Sequence, residues 1–243
     1  MADGRNVYAA ILAGGSGTRM GNPEKAQAVP HAGLEAHHRA HRREVLRRRR
    51  FRTRAWCCAL NRGFRKSQDL LRRYCPDCCQ DVAVIAGGST RNDTVRNAIS
   101  YLCENHAVDD SSIIVTHDAV RPFVSHRIIE ENIQAAIDCG ACDTVVPATD
   151  TIVQSADGKV ISSIPDRSQL YQGQTPQSFK LLELKALMES LSPDEEAVLT
   201  DACKIYTLRG KAVALVRGDV SNMKITYPQD LRVATALMGS CRA

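Results

Sequence analysis

Apolar residues fall in short runs that stop at glycine or at a polar pair. Val7-Tyr-Ala-Ala-Ile-Leu-Ala13, Asp81-Val-Ala-Val-Ile-Ala86 and Ile113-Ile-Val-Thr116 are too short for helices and too continuously apolar for half-exposed strands. Such runs predict strands buried on both faces. Between them the period changes. Residues 92–105 place Val95, Ile99 and Leu102 on one stripe, and a helix capped by Ser125 and running to about Asp138 turns Ile128, Ile129, Ile133 and Ile137 inward. Thr144-Val-Val-Pro147 and Thr151-Ile-Val153 predict further strands, with residues 159–163 as half of a hairpin after the Asp157-Gly158 turn. Helices are predicted over 179–191 and 201–208, a late strand over 212–216, and a closing helix over 228–238 with Pro228 at its start. Alternating strands and helices predict an α/β fold with a mostly parallel sheet. Ligands of such sheets sit beyond the carboxyl ends of the strands, which points to the loops at 12–19, 87–94 and 117–121.

Residues 26–66 break this pattern. They hold Arg47-Arg-Arg-Arg50 and four of the seven His, with no period of 2 or 3.6. Two readings fit the segment: a solvated basic insertion, or a stretch written in a shifted frame and non-native in sequence. Starting one nucleotide into the Ala26 codon, synonymous codons permit Pro-Lys-Gln-Phe-Leu-Met-Leu-Gly-Ser-Lys-Pro-Ile-Ile-Val, which is ordinary α/β sequence. If the written segment is genuine, the chain is expected to lack a helix and a central strand.

Composition narrows the class. A chain of 243 residues, 44% hydrophobic and 24% charged, has enough apolar mass for one globular domain and is neither disordered nor collagen-like. No apolar run reaches the roughly 18 residues of a membrane span. Met1 to Val7 lacks the basic end and apolar stretch of a signal peptide, so a cytoplasmic location is expected. The net charge of +5 misleads: residues 26–66 carry eleven Arg and Lys66 against Glu35 and Glu44, a surplus of ten, and the rest of the chain is mildly acidic. A nucleic-acid reading rests on that one segment, through its Arg run at 39–54, which has no interleaved aromatics beyond Phe51 and Trp56. Of the ten Cys, Cys75-Pro-Asp-Cys78-Cys79 has the gap of a zinc knuckle, but no matched second pair and no His pair at finger spacing follow. Reduced thiols are the expectation.

Three motifs carry chemistry. Leu12-Ala13-Gly14-Gly15-Ser-Gly-Thr-Arg19-Met is a glycine-rich turn after a first strand, where backbone N–H groups can approach phosphate oxygens and Arg19 can neutralise charge developing on phosphorus. It is neither the P-loop nor G-x-G-x-x-G, so hydride transfer to a dinucleotide is disfavoured. Gly87-Gly88-Ser89-Thr-Arg91-Asn-Asp-Thr94 is a second glycine-rich turn entering a helix, suited to reading a base and its ribose. His117-Asp118-Ala-Val-Arg121-Pro ends a buried strand in a carboxylate, a natural Mg²⁺ ligand beside a triphosphate, with Arg121 able to hold that carboxylate or meet a phosphate.

Together with Gln174-Thr-Pro-Gln177-Ser-Phe and Asn222-Met-Lys224-Ile-Thr, these motifs resemble the sugar-alcohol-phosphate cytidylyltransferases, in family order and over about 1–25 and 67–240. The permitted Pro-Lys-Gln-Phe stretch matches the same family. The resemblance implies a Rossmann-like nucleotidyltransferase fold over 1–243 with a projecting β-arm at about 143–175. It implies a homodimer through that arm, and no nucleic-acid or membrane partner. CTP and a polyol phosphate would give a CDP-polyol and pyrophosphate with Mg²⁺. Leu12, Ala13, Gly14 and Gly15 would cradle the triphosphate, and Arg19 would stabilise the transition state. Gly88, Ser89, Arg91 and Thr94 would surround the cytidine, and Asp118 would bind the metal. Thr151, Arg167 and Lys224 would hold the polyol phosphate. The second essential cation of the family is the Lys of Pro-Lys-Gln, absent as written; Lys25 lies near it in a different context. Tyr171-Gln-Gly-Gln-Thr-Pro-Gln and Leu199-Thr-Asp-Ala-Cys-Lys-Ile are more similar to the ribitol-5-phosphate branch, which is the favoured reading. The 2-C-methyl-D-erythritol 4-phosphate branch is the alternative, as is a degenerate relative that binds without chemistry.

Overall fold

The apolar runs become the centre of one seven-stranded sheet. The computed structural model describes residues 5–13, 72 and 82–238, and the backbone alone of 52–60 and 239–240. The strands are β1 (Asn6–Leu12), β2 (Arg52–Leu60), β3 (Val82–Ala86), β4 (Ile113–Asp118), β5 (Ala141–Pro147), β6 (Tyr171–Lys180) and β7 (Ala214–Arg217), in the spatial order β3-β2-β1-β4-β6-β5-β7. Every pairing is parallel except those of β6 with β4 and β5. Six strands therefore end at the same edge of the sheet, and β6 begins there.

Helices close both faces. They are α1 (Arg91–Asn105), α2 (His126–Cys139), α3 (Leu181–Glu189), α4 (Pro193–Ala197), α5 (Cys203–Leu208) and α6 (Pro228–Ser240). On one face Val95, Ile99 and Leu102 of α1 pack with Tyr8, Ile114, Phe179, Leu184 and Tyr206. On the other, Ile128, Ile129 and Ile133 of α2 pack with Val7, Ile113, Val115 and Val216. Ser125 caps α2 as its sequence predicts, accepting from the Ile128 N–H, and Gly140 ends it with φ 90°.

Three expectations change, and one strand is new. Phe179 is not helical: it lies in β6, fully buried opposite Ile114 and Ala141, and α3 starts two residues later. Tyr171–Lys180 reads as a strand only through its neighbours, since its glutamines, Gly173 and Pro176 show no apolar alternation. Thr151–Val153 is not a strand. It belongs to an exposed excursion, 148–170, held by a single bridge between Gln154 and Ser163; the Asp157-Gly158 turn forms, with Gly158 at φ 70°, but no sheet neighbour extends it. The written segment does supply a central strand: β2 runs parallel between β1 and β3, over the apolar residues that follow Arg54. The remainder of 26–66 lies outside the described residues.

Candidate active site

The carboxyl end of β4 delivers Asp118 to the edge where the other strands end. Its carboxylate is nearly buried and surrounded by cations. Lys224 Nζ donates to Oδ2 at 2.8 Å, Arg91 Nε lies 3.6 Å from Oδ1, and Arg121 Nε lies 4.0 Å from Oδ2. Burial alone would raise this carboxyl, but Arg91 and Lys224 outweigh it and hold it down at about 2. Asp118 is therefore a fixed anion at any physiological pH.

A relay of neutral groups fixes the strand end. The Asp118 N–H donates to Thr175 Oγ1 at 3.1 Å, and Thr175 Oγ1 and His117 Nδ1 are 2.9 Å apart. His117 Nε2 lies 3.0 Å from the Arg121 carbonyl. A carbonyl only accepts, so Nε2 carries the proton and Nδ1 accepts from the Thr175 hydroxyl. Burial pushes His117 down to about 4, which keeps it neutral in that tautomer. His117 is a strut here.

The β3–α1 loop is wound tightly onto the first turn of α1. Thr90 and Asp93 form a capping box, and the Asp93 carboxylate also takes the Ser89 hydroxyl. Thr94 Oγ1 accepts from the Gly88 N–H at 3.0 Å and donates to the Thr90 carbonyl at 2.8 Å. A Cβ on Gly88 would lie 2.1 Å from Asp93 Cβ and 2.9 Å from Thr94 N, so only glycine fits this turn. The hydroxyls of Ser89 and Thr94 are thus spent inside the loop. The side chain the loop sends toward the strand ends is Arg91, whose Nη2 donates to Gln177 Oε1 at 3.1 Å.

Lys224 reaches the site because the segment before it is pinned. Gln174 Nε2 donates to the Asp219 carbonyl, while the Asn222 side-chain amide donates to Gln174 Oε1 and the Thr175 carbonyl. Arg121 Nη1 donates to the Asn222 carbonyl at 2.8 Å, and the Ile225 N–H to the Val120 carbonyl at 2.9 Å. Beneath, Asn132 of α2 is fully buried, donates to Thr144 Oγ1 and the Pro176 carbonyl, and accepts from Ser178. This satisfied polar knot locks β6 against β5 and α2.

The structure thus brings Asp118, Arg91, Arg121 and Lys224 together across more than a hundred residues of chain. Leu12 sits beside them, its carbonyl accepting from the Ala119 N–H, with Ala13 next to it. Thr151 and Arg167 are exposed on the 148–170 excursion, where Arg167 donates to the Thr149 carbonyl; among the described residues neither is bonded to the Asp118 cluster. Gly14, Gly15, Arg19 and Lys25 lie outside the described residues, as do the side chains of Cys57, Cys58, Cys75, Cys78 and Cys79. Among the described residues no three His, Cys, Asp or Glu side chains form a metal-binding group, and no helix is long and apolar enough to cross a membrane. Sequence reasoning missed Thr175, Gln177 and Asn222 as parts of the site, and Asp143, whose Oδ1 accepts from Gln177 Nε2 at 3.1 Å. Gln174, Gln177 and Asn222 lay inside motifs it had noted, but their roles depend on the antiparallel placement of β6.

Residues 7–240 match the family described as IspD: 2-C-methyl-D-erythritol 4-phosphate cytidylyltransferase. Among solved structures, the 4-diphosphocytidyl-2C-methyl-D-erythritol synthase of Anaerococcus prevotii DSM 20548 is similar at 25% identity, with 98% of each chain covered and a TM-score of 0.74. The Francisella tularensis 2-C-methyl-D-erythritol 4-phosphate cytidylyltransferase shares the fold at 23% identity and a TM-score of 0.72, covering 95% of this chain and 98% of its own. The family match favours the erythritol branch, the alternative in the sequence reading, and nothing in these likenesses supports ribitol specificity.

Proposed function

The chain belongs to the IspD family of cytidylyltransferases, and from that premise we propose that it joins CTP to 2-C-methyl-D-erythritol 4-phosphate. A phosphate oxygen of the polyol phosphate attacks the α-phosphorus in line. The bond from that phosphorus to the oxygen bridging to the β-phosphate breaks, and pyrophosphate leaves with the electron pair. Such transfers depend on positioning and charge neutralisation. The observation that carries the reading is the convergence of Arg91, Arg121 and Lys224 on one ionised carboxylate at the strand ends.

In this reading Lys224 meets the polyol phosphate. Leu12 to Gly15 cradle the triphosphate, Arg19 steadies the α-phosphorus, and Gly88, Ser89, Arg91 and Thr94 bound the cytidine. Thr151 and Arg167, on the exposed excursion, complete the polyol-phosphate site, with Arg167 serving the partner of a homodimer. Mg²⁺ takes oxygen ligands and is commonly held by one or two carboxylates plus substrate phosphates. Asp118, held ionised beside the nucleotide loop, fits that need and would hold the ion, which would neutralise triphosphate charge. Lys224 then exchanges Asp118 for the incoming phosphate.

Ribitol 5-phosphate is the second reading, favoured by the likeness of Tyr171-Gln-Gly-Gln-Thr-Pro-Gln and Leu199-Thr-Asp-Ala-Cys-Lys-Ile to that branch. Purified protein is to be assayed with CTP, Mg²⁺ and each polyol phosphate, following pyrophosphate release and the CDP-polyol. A kcat/KM at least 100-fold higher with the erythritol substrate is expected. The reverse ratio replaces it with ribitol, and CTP binding without turnover on either makes the chain a binding-only relative.

A further inference from the structure

We infer that Gln177 is a positioning residue of the reaction, its side-chain amide oriented by Asp143 so that it fixes Arg91 against Asp118. The inference rests on the cytidylyltransferase reading for its kinetic consequence and on geometry alone for its placement. Gln177 is only 2% exposed, so water cannot substitute for its partners. Its Oε1 accepts from Arg91 Nη2 at 3.1 Å, and its Nε2 donates to Asp143 Oδ1 at 3.1 Å. The two neighbours impose the orientation. A guanidinium only donates and an ionised carboxylate only accepts, so the amide oxygen faces Arg91 and the amide nitrogen faces Asp143.

Arg91 depends on this support. Among the described residues it meets only Asp118 and Gln177 by ion pair or hydrogen bond, and its Nη1 is buried without a partner. Asp118 is 3.6 Å away, a looser contact than the Gln177 hydrogen bond. Gln177 itself cannot drift: it lies in β6 with β4 on one side and β5 on the other, opposite Thr116 and Asp143, and its carbonyl accepts from Thr116 Oγ1. A rigid strand thus holds a flexible arginine through one oriented amide.

The orientation supplies a test that space-filling cannot pass. Gln177→Glu is isosteric but sets a carboxylate against Asp143, so it should lower kcat/KM for CTP at least 10-fold while leaving KM for the polyol phosphate within 2-fold. Gln177→Met removes both hydrogen bonds and should do the same. Gln177→Glu combined with Asp143→Asn reverses the polarity, with acceptor oxygens toward Arg91 and an amide donor from position 143, and should return to within 3-fold of wild type. The Arg91 Nε–H resonance in ¹⁵N NMR, assigned with Arg91→Lys, gives a readout independent of turnover. It should be resolved and slowly exchanging in wild type and the double variant, and merge with free arginines in the two single variants. A double variant as impaired as Gln177→Glu, or an Arg91 signal unchanged in both single variants, overturns the inference. A wild-type protein inactive with both polyol phosphates overturns the functional reading instead, and the resonance still decides the placement.

Discussion

Lys224 and Asp118 make a pair of unequal burial: the lysine side chain is 43% exposed and the carboxylate 11%. Lys224→Met should therefore cost the fold little, because Arg91 and Arg121 still face Asp118. It removes one cation that would meet a substrate phosphate, and pyrophosphate release should fall about 10²–10³-fold, the usual cost of one lost charge-stabilising donor. Asp143 gives a second prediction, in stability. Burial, with Asp201 adding to it, pushes Asp143 up to about 6, well above the ordinary carboxylate range, against the pull of Gln177 and Arg91. The folded chain then binds the proton more tightly than the unfolded chain. The stability it contributes is full below about pH 4 and is lost as pH rises through 6, at most about 3 kcal/mol at 1.36 kcal/mol per unit. Asp143→Asn should flatten the stability profile between pH 4 and 7 and raise the unfolding free energy at pH 7.5; urea titrations across that range check it. At this scale charge was legible in the sequence. Asp118, Arg91, Arg121 and Lys224 stand in motifs where an anion and its cations make chemical sense. Thr175, Gln177 and Asn222 do not announce themselves, since a neutral polar side chain acquires a role only once the fold chooses its neighbours.

The β3–α1 loop behaves as a single unit. Gly88, Thr90, Asp93 and Thr94 share one set of hydrogen bonds, and Arg91 inherits its direction from them. Gly88→Ala forces a methyl against Asp93 and Thr94, an overpacking that costs about 1–3 kcal/mol. It should also raise the KM for CTP at least 10-fold, whereas Thr90→Ala should cost about 1 kcal/mol through the lost cap, with the loop path kept. Thermal unfolding beside CTP kinetics separates the two. Elements were legible where pattern and period agreed, as in β1, β4, α1 and α2. They were not legible in β6, whose strand character comes from its neighbours on both sides, nor at Thr151–Val153, where β-branched residues find no partner strand.

Over the whole molecule the open question of sequence is residues 26–66. β2 shows that the written chain fills the slot between β1 and β3, so the sheet does not need the shifted frame. The case for the shift rests instead on the proposed chemistry: the written text has no Pro-Lys-Gln, and Lys25 stands in another context. Replacing 26–66 with the shifted-frame sequence should raise kcat about 10²–10³-fold, by restoring one cation at the phosphates. Equal turnover by both proteins would remove the case for the shift.

The antiparallel seam between β5 and β6 has a consequence for how such a molecule can change. Pro147 pairs with Tyr171 and the Ala148 N–H with the Leu170 carbonyl, so the chain leaves the sheet and returns to it at adjacent points. The excursion between them exposes Val160 at 68%, Ile161 at 56% and Ile164 at 60% and adds no strand to the sheet. The sheet therefore sets no constraint on its length or sequence; only the roles proposed for Thr151 and Arg167 would. A lineage can rewrite the apolar surface between those two residues without renegotiating the seam that carries Thr175 and Gln177. That apolar surface and the strand-end site can then change at separate rates within one chain.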